Sequence, residues 1–399
     1  MNRRNNMKRI AIPLLLSLSL LLSGCQNTDP GSNGGDSAST GAESVAVIDT
    51  AALFSDRDLD GSYDESAAVH IQLEGETAVC DSDAVSIDGS RITLLDEGTY
   101  LVSGALTDGQ IVVDAGDTDK VQIVLASASL TCADSAAIYS KSADKVFLTL
   151  AEGTENTLTN GGSYTAIDKN NIDSVVFSKT DLTLNGSGSL TIDAQAGHGV
   201  VSKDELTING GTFTVDSVDD CLHSGGALAV TGGTFTLSSG DDAIHSDDAV
   251  TIRAGEFSIP YCYEGVEGLS VTVEGAAFDV TAHDDGFNAA GGADSSGFGG
   301  RDEPFAASED SFITVNGGTI TVVSDGDCLD SNGDLTVNGG TLDLTCNGNG
   351  NTALDCSGSY TNNGGSVTTN DGSETNSGGR SGNRLEEERE PLPSGRPKA

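Results

Sequence analysis

Residues 205–216 read ELTINGGTFTVD and residues 227–238 read ALAVTGGTFTLS, one phrase repeated after 22 positions. In each, two short runs that alternate polar with β-branched or aromatic residues flank a glycine pair. Such alternation makes half-buried strands, and the glycines make the turn between them. The pair or its equivalent recurs at Gly210-Gly211, Gly232-Gly233, Ala254-Gly255, Gly275-Ala276, Gly317-Gly318 and Gly339-Gly340, at intervals of 22, 22, 21, 42 and 22 residues. The long interval holds a Gly/Ser-rich insertion, 291–311, and removing it restores the period. Two or three strands per period of about 22 residues describe one rung of a solenoid. The sequence therefore predicts an all-β chain built as a single right-handed parallel β-helix over 51–365. The earlier segments VQIVLA, KVFLTLA and DLTLNGSGSLTIDA look like less regular rungs. A jelly roll or adhesin-type sandwich is the alternative, but neither predicts a constant period.

Stacked rungs place residues one period apart on adjacent strands, about 4.8 Å from each other. Counting then gives columns. One holds Asp220, Asp242, Glu264, Asp285 and Asp327; a second, three residues on, holds His223, His245, Glu267, Asn288 and Asp330; a third holds Asp219, Asp241, Tyr263 and Asp284. Unit charges at that spacing repel by roughly 1 kcal/mol in water and about 3–4 kcal/mol at an effective dielectric of 20. Summed along a ladder, this rivals a domain's whole stability of about 5–15 kcal/mol. Bound cations relieve it most simply, and carboxylate oxygens suit Ca²⁺. The expected metal ligands are thus Asp219, Asp220, Asp241, Asp242, Glu264, Glu267, Asp284, Asp285, Asp327 and Asp330, on an acidic face exposed to solvent. The alternative is a solvated acidic face with ordinary counterions. His223 and His245 could bring in a transition metal or hydrogen-bond neighbouring carboxylates. In DRDLDGSYDE, Asp56, Asp58 and Asp60 match the opening of an EF-hand loop, but Ala67 stands where its glutamate belongs. What remains is a candidate calcium-binding or strand-capping turn.

The chain carries a formal net charge of −42, which excludes non-specific nucleic-acid binding. At its start, Arg3, Arg4, Lys8 and Arg9 precede an apolar run and then Leu22-Ser23-Gly24-Cys25. A basic region, an apolar core and small residues before a cysteine describe an export signal over 1–24. It resembles a bacterial lipoprotein signal, which implies lipidation at Cys25 and an extracytoplasmic protein anchored to the cell membrane. Residues 25–50 read as a flexible tether, and 366–399 as a charged, disordered tail. The remaining cysteines show no CxxC spacing and no disulfide or zinc framework. Cys221 and Cys328 follow aspartates in matching contexts and are expected as small buried ladder residues.

The phrases LAEGTENTLTNGGSY (150–164), FSKTDLTLNGSGSLTI (177–192), HGVVSKDELTINGG (198–211), YEGVEG (263–268), DDGFNAAGG (284–292) and GNGNTALDCSG (348–358) resemble signatures of the clostridial-type carbohydrate-binding β-helix lipoproteins. That resemblance covers roughly 50–365. It implies a pectate-lyase-like fold, calcium sites on the β-helix, and binding of cellulose-like and acidic plant polysaccharides without established cleavage. Cys356 departs from it, standing where an aromatic residue is usual.

A face this negative repels a polyuronate unless divalent cations bridge protein and sugar carboxylates. Sugar rings stack on aromatic faces, and with no Trp in the chain the candidates are Tyr261, Tyr263 and Phe287. A lyase needs a base near the acidic columns. Arg253, Lys179 and Lys203 are the basic residues of the repeats, and the two lysines look like ladder salt-bridge partners. The sequence thus predicts a monomeric, non-catalytic polysaccharide binder. A calcium-dependent lyase or a structural stalk are the alternatives.

Overall fold

The structure, a computed structural model, describes residues 54–165, 168–289 and 310–375. The expected signal peptide, Cys25 and the tether lie outside the described residues, as do nearly all of the 291–311 insertion and residues 376–399 of the expected tail. The first residues of that tail are not disordered, since Ser366–Thr369 is a strand that pairs with residues 341–344 as one more rung.

Almost every regular element among the described residues is a strand, and the strands stack into a parallel β-solenoid of about ten turns. The antiparallel pairings found sit at the N-terminal end, Val69–Gly75 with Ala78–Val79 and Val85–Asp88 with Arg91–Leu94. Elsewhere each strand pairs in parallel with its counterpart one rung away, so three ladders run along the axis.

One ladder stacks Leu190, Phe213, Phe235, Phe257, Phe278, Ile320 and Leu342. The four phenylalanine rings lie nearly parallel at 5.2, 4.5 and 4.4 Å. Each is buried, contributing about 1.5–3 kcal/mol relative to exposure. The glycine turns make this stack fit. Gly233 and Gly255 adopt φ of 129° and 134°, and a Cβ on either would sit 2.9 Å from the ring two residues on.

A second ladder carries the site. Its inward column runs Ile111, Ile138, Val176, Val200, Leu222, Ile244, Val266, Phe287, Leu329 and Leu354. The adjacent outward column begins Val112, Tyr139, Phe177, Val201. Those four are buried in a satellite cluster with Ala136 and Ile172, and Tyr164 packs against it. Ile172 and Tyr164 therefore cover the early rungs, and the Tyr139 hydroxyl donates to Asp168 at 2.6 Å. From the next rung the same column continues as His223, His245, Glu267, Asn288, Asp330 and Asp355. The chemistry changes while the backbone does not.

Small residues line the corner between these strands. Cys221 and Cys328 are fully buried, like Ala243 and Ala353, and among the described residues every cysteine is a free thiol.

Candidate functional site

The strands of the second ladder are preceded by a corner that stays in register. Gly199, Cys221, Ala243, Gly265 and Gly286 donate their N–H groups to the carbonyls of Asp220, Asp242, Glu264, Asp285 and Asp327 one rung on. The five acids found by counting therefore stand directly over one another. Their exposure is not what the sequence predicts: none exceeds 4%. Two sets of contacts draw them in. Asp220 Oδ1 accepts the N–H of Asp242 at 3.0 Å, and Asp285 Oδ1 accepts that of Asp327 at 2.6 Å. The neighbouring column then folds over them. His223 Nδ1 lies 2.8 Å from Asp220 Oδ2, His245 Nδ1 lies 3.0 Å from Asp242 Oδ2, and Asn288 Nδ2 donates to Glu264 Oε2 at 2.9 Å. The third column, Asp219, Asp241, Tyr263 and Asp284, is half-buried on the outer side.

The histidines form a stack. The rings of His223 and His245 are stacked 4.7 Å apart and nearly parallel, and that of His198 lies 5.1 Å from His223. His198, absent from the sequence-based set, stands one 22-residue period before Asp220. Asp247 is absent from that set too. A register shift between Ser246 and Ala249 makes room for it, and its Oδ1 comes back to 3.3 Å from His245 Nε2.

Among the described residues, ligating atoms converge to within 4.8 Å in His198–Asp220–His223, His223–His245–Asp247, Asp242–His245–Glu267 and Asp285–Asp327–Asp330. The first three contain imidazole nitrogen; the last is oxygen alone. Burial pushes Asp242, Glu264 and Asp285 well above the usual carboxylate range, and surrounding acids add to it. Asp220 is the exception. Burial would raise it too, but His198 and His223 hold it well below. Burial would lower His245, yet Asp242, Asp247 and Glu267 together raise it. Burial lifts the Cys221 and Cys328 thiols to about 12.

Other candidates fall elsewhere. Phe287 is 1% exposed and meets Phe278 edge-on in the core, because it belongs to the inward column of Val266 and Leu329. It cannot stack on a sugar. Tyr261 is 41% exposed, thrown outward by a bulge at Pro260 that shifts the register between Ile259 and Cys262. Tyr263 is half-buried with its ring 6.3 Å from that of His283. Asp56, Asp58 and Asp60 do not converge on an ion. Asp56–Leu59 is a single helical turn capped by Ser55. Asp58 turns inward to Lys145 at 2.7 Å and accepts from Thr183 at 2.6 Å, while Asp60 accepts from the Ser62 N–H. Lys203 lies 3.9 Å from Asp173 and over the Phe177 ring. Arg253 lies over Phe54. Of the buried column acids, Asp220, Asp242 and Glu267 thus have histidines within bonding distance, and among the described residues no ion pair joins the column to a lysine or arginine.

Comparison with known proteins agrees with this architecture. A family model described as carbohydrate-binding domain-containing protein matches residues 88–350 and 241–383. A carbohydrate-binding domain-containing protein of Acetivibrio thermocellus is 36% identical over 135 residues, which is 33% of this chain and 47% of that protein. The chain thus spans about half the length of this relative. A solved structure described as the polysaccharide lyase-like protein from C. thermocellum, gadolinium derivative, superimposes with a TM-score of 0.50 at 23% identity. It covers 75% of this chain and 99% of its own, and so shares the fold.

Proposed function

Since the chain belongs to the carbohydrate-binding domain-containing protein family, we propose that it holds acidic plant polysaccharide, polygalacturonate above all, or cellulose, through calcium on its acidic columns and without cleaving it. One observation carries the calcium assignment: Asp285, Asp327 and Asp330 bring carboxylate oxygens together with no nitrogen among them. Ca²⁺ takes such all-oxygen sets. A chain of net charge −42 meets a polyuronate only across a layer of divalent cations. The Tyr263 carbonyl accepts from the N–H of Asp284, next to Asp285 in sequence, and Tyr261 stands exposed two residues before Tyr263. These two supply the flat apolar faces that sugar rings stack on. The proposal includes export and attachment to a membrane through a lipid on Cys25, on the strength of the basic and apolar leader before it. It also takes the protein as a monomer.

The test is retention of the mature chain on polygalacturonate and on insoluble cellulose, with calcium and with chelator, reading the supernatant for unsaturated uronates. Calcium-dependent retention without product is expected. Product in the supernatant would replace binding by lyase action, and no retention in either condition would sink the proposal. Tyr261→Ala is expected to weaken retention about tenfold, which corresponds to about 1.4 kcal/mol, with the unfolding midpoint unchanged because the side chain is exposed. Unaltered retention would remove Tyr261 from the binding surface.

A further inference from the structure

The nitrogen-bearing part of the column poses a separate question, because calcium does not explain it. Asp242, His245 and Glu267 are 0%, 1% and 3% exposed. His245 Nδ1 lies 3.0 Å from Asp242 Oδ2 and 3.2 Å from Glu267 Oε2. A ring nitrogen bears at most one hydrogen, so it satisfies one of these oxygens and leaves the other facing it without a donor. Asp242 Oδ1, fully buried, has no hydrogen-bond partner at all. Buried carboxylate oxygens left in that condition are costly. The site is short of positive charge and of donors.

The separations match those of ligands around one small cation. Metal–nitrogen and metal–oxygen bonds of about 2.1 Å put neighbouring ligand atoms about 3.0 Å apart in octahedral and about 3.4 Å apart in tetrahedral geometry. The observed 3.0 and 3.2 Å lie between them. The other ring nitrogen, Nε2, faces Asp247 Oδ1 at 3.3 Å. A carboxylate on the far side of a ligating imidazole fixes the tautomer and raises the ligand's basicity. Asp247 reaches that position only through the bulge at 246–248.

We propose that Asp242, His245 and Glu267 form a structural site for a first-row divalent transition metal of the zinc or manganese class, with Asp247 orienting the histidine. One imidazole with two carboxylates suits such an ion and not Ca²⁺. Its near-complete burial makes the ion part of folding, bound as the two rungs close. This site is distinct from the oxygen-only group at Asp285, Asp327 and Asp330.

The full chain is unfolded, freed of metal and refolded with Zn²⁺, with Mn²⁺ or with Ca²⁺ alone, and retained metal is measured after gel filtration. Retention of Zn²⁺ or Mn²⁺ near one ion per chain is expected, with nitrogen and oxygen ligands by X-ray absorption. His245→Gln should abolish it. Asp247→Asn, at a side chain 49% exposed, should fold normally and weaken affinity about 10–100-fold, so the question stays decidable if His245→Gln misfolds. Asp330→Asn should leave Zn²⁺ retention unchanged, which separates this assignment from that of calcium. No retained Zn²⁺ or Mn²⁺ in the wild type, sulfur ligation, or full retention in Asp247→Asn and His245→Gln would each overturn the proposal.

Discussion

Asp58→Ala is expected to lower the unfolding free energy at pH 7 by about 3–5 kcal/mol, the usual cost of removing one partner of a buried ion pair. Asp58 is 2% exposed. Its carboxylate accepts from the Ser55 N–H and hydroxyl and from Thr183, and it pairs with Lys145, itself only 12% exposed. Alanine leaves that ammonium buried without a counter-charge and removes the capping box of the Asp56–Leu59 turn. The turn's remaining ties are few: Asn185 and Asn209 donate to the carbonyls of Asp58 and Leu59, and Arg57 donates to Gln122 and lies over the Phe147 ring. Burial alone would raise the Asp58 pKa, but Lys145, Ser55 and Thr183 outweigh it and bring it to about 2. With the folded value depressed, the stabilisation is fully present above about pH 4 and is lost as pH falls through about 2. Denaturant titrations of wild type and variant should therefore diverge at neutral pH and converge in acid. Equal midpoints at pH 7 would show that the pair contributes nothing.

The second large effect runs opposite to ordinary acid denaturation. In metal-free protein the folded-state values of Asp242, Glu264 and Asp285 are raised, by burial first and by the surrounding acids second. A raised folded pKa gives stability that is complete below the unfolded value, about 4, and is lost as pH climbs through the folded one. His198 and His245, also raised, act in the same direction above about 6.5. Asp220, depressed by His198 and His223, is the opposing member of the column. The metal-free chain should thus lose stability from about pH 4 upward, by several kcal/mol, and divalent cations should restore it near neutrality. Thermal unfolding across pH 4–8, with and without Ca²⁺, reads this directly. Metal-free stability that holds level or increases toward pH 8 contradicts it. Asp285→Asn should raise metal-free stability at pH 7 while shrinking the response to calcium.

The axial order of this molecule was legible because a solenoid writes its register into its period. His223, His245, Glu267, Asn288 and Asp330, aligned by counting, are paired residue for residue. Orientation was harder to read. A period says which residues stack and not whether the column faces in or out, so Asp220 and its successors were expected in solvent and lie inside. Phe287 illustrates the remedy: it is one residue before the His223 column and so points inward by simple alternation. The same count carried back one period would have reached His198. The inward turn of Asp58 had no such signal, since Lys145 and Thr183 lie 87 and 125 residues away in sequence. Asp247 depends on a bulge, which breaks the count.

A β-solenoid stretched along its axis resists differently from a globular domain. Its backbone hydrogen bonds run from rung to rung, so tension loads them one gap at a time. Each convergent acidic group straddles such a gap: Asp242 and His245 lie on one rung with Glu267 on the next, and Asp285 lies on one with Asp327 and Asp330 on the following one. A cation seated there is a rivet in line with the pull. Where a polymer drags on this face, rupture force should rise with divalent ion concentration, and the gaps that open first should be those around Val112, Tyr139 and Phe177, whose outward column is apolar.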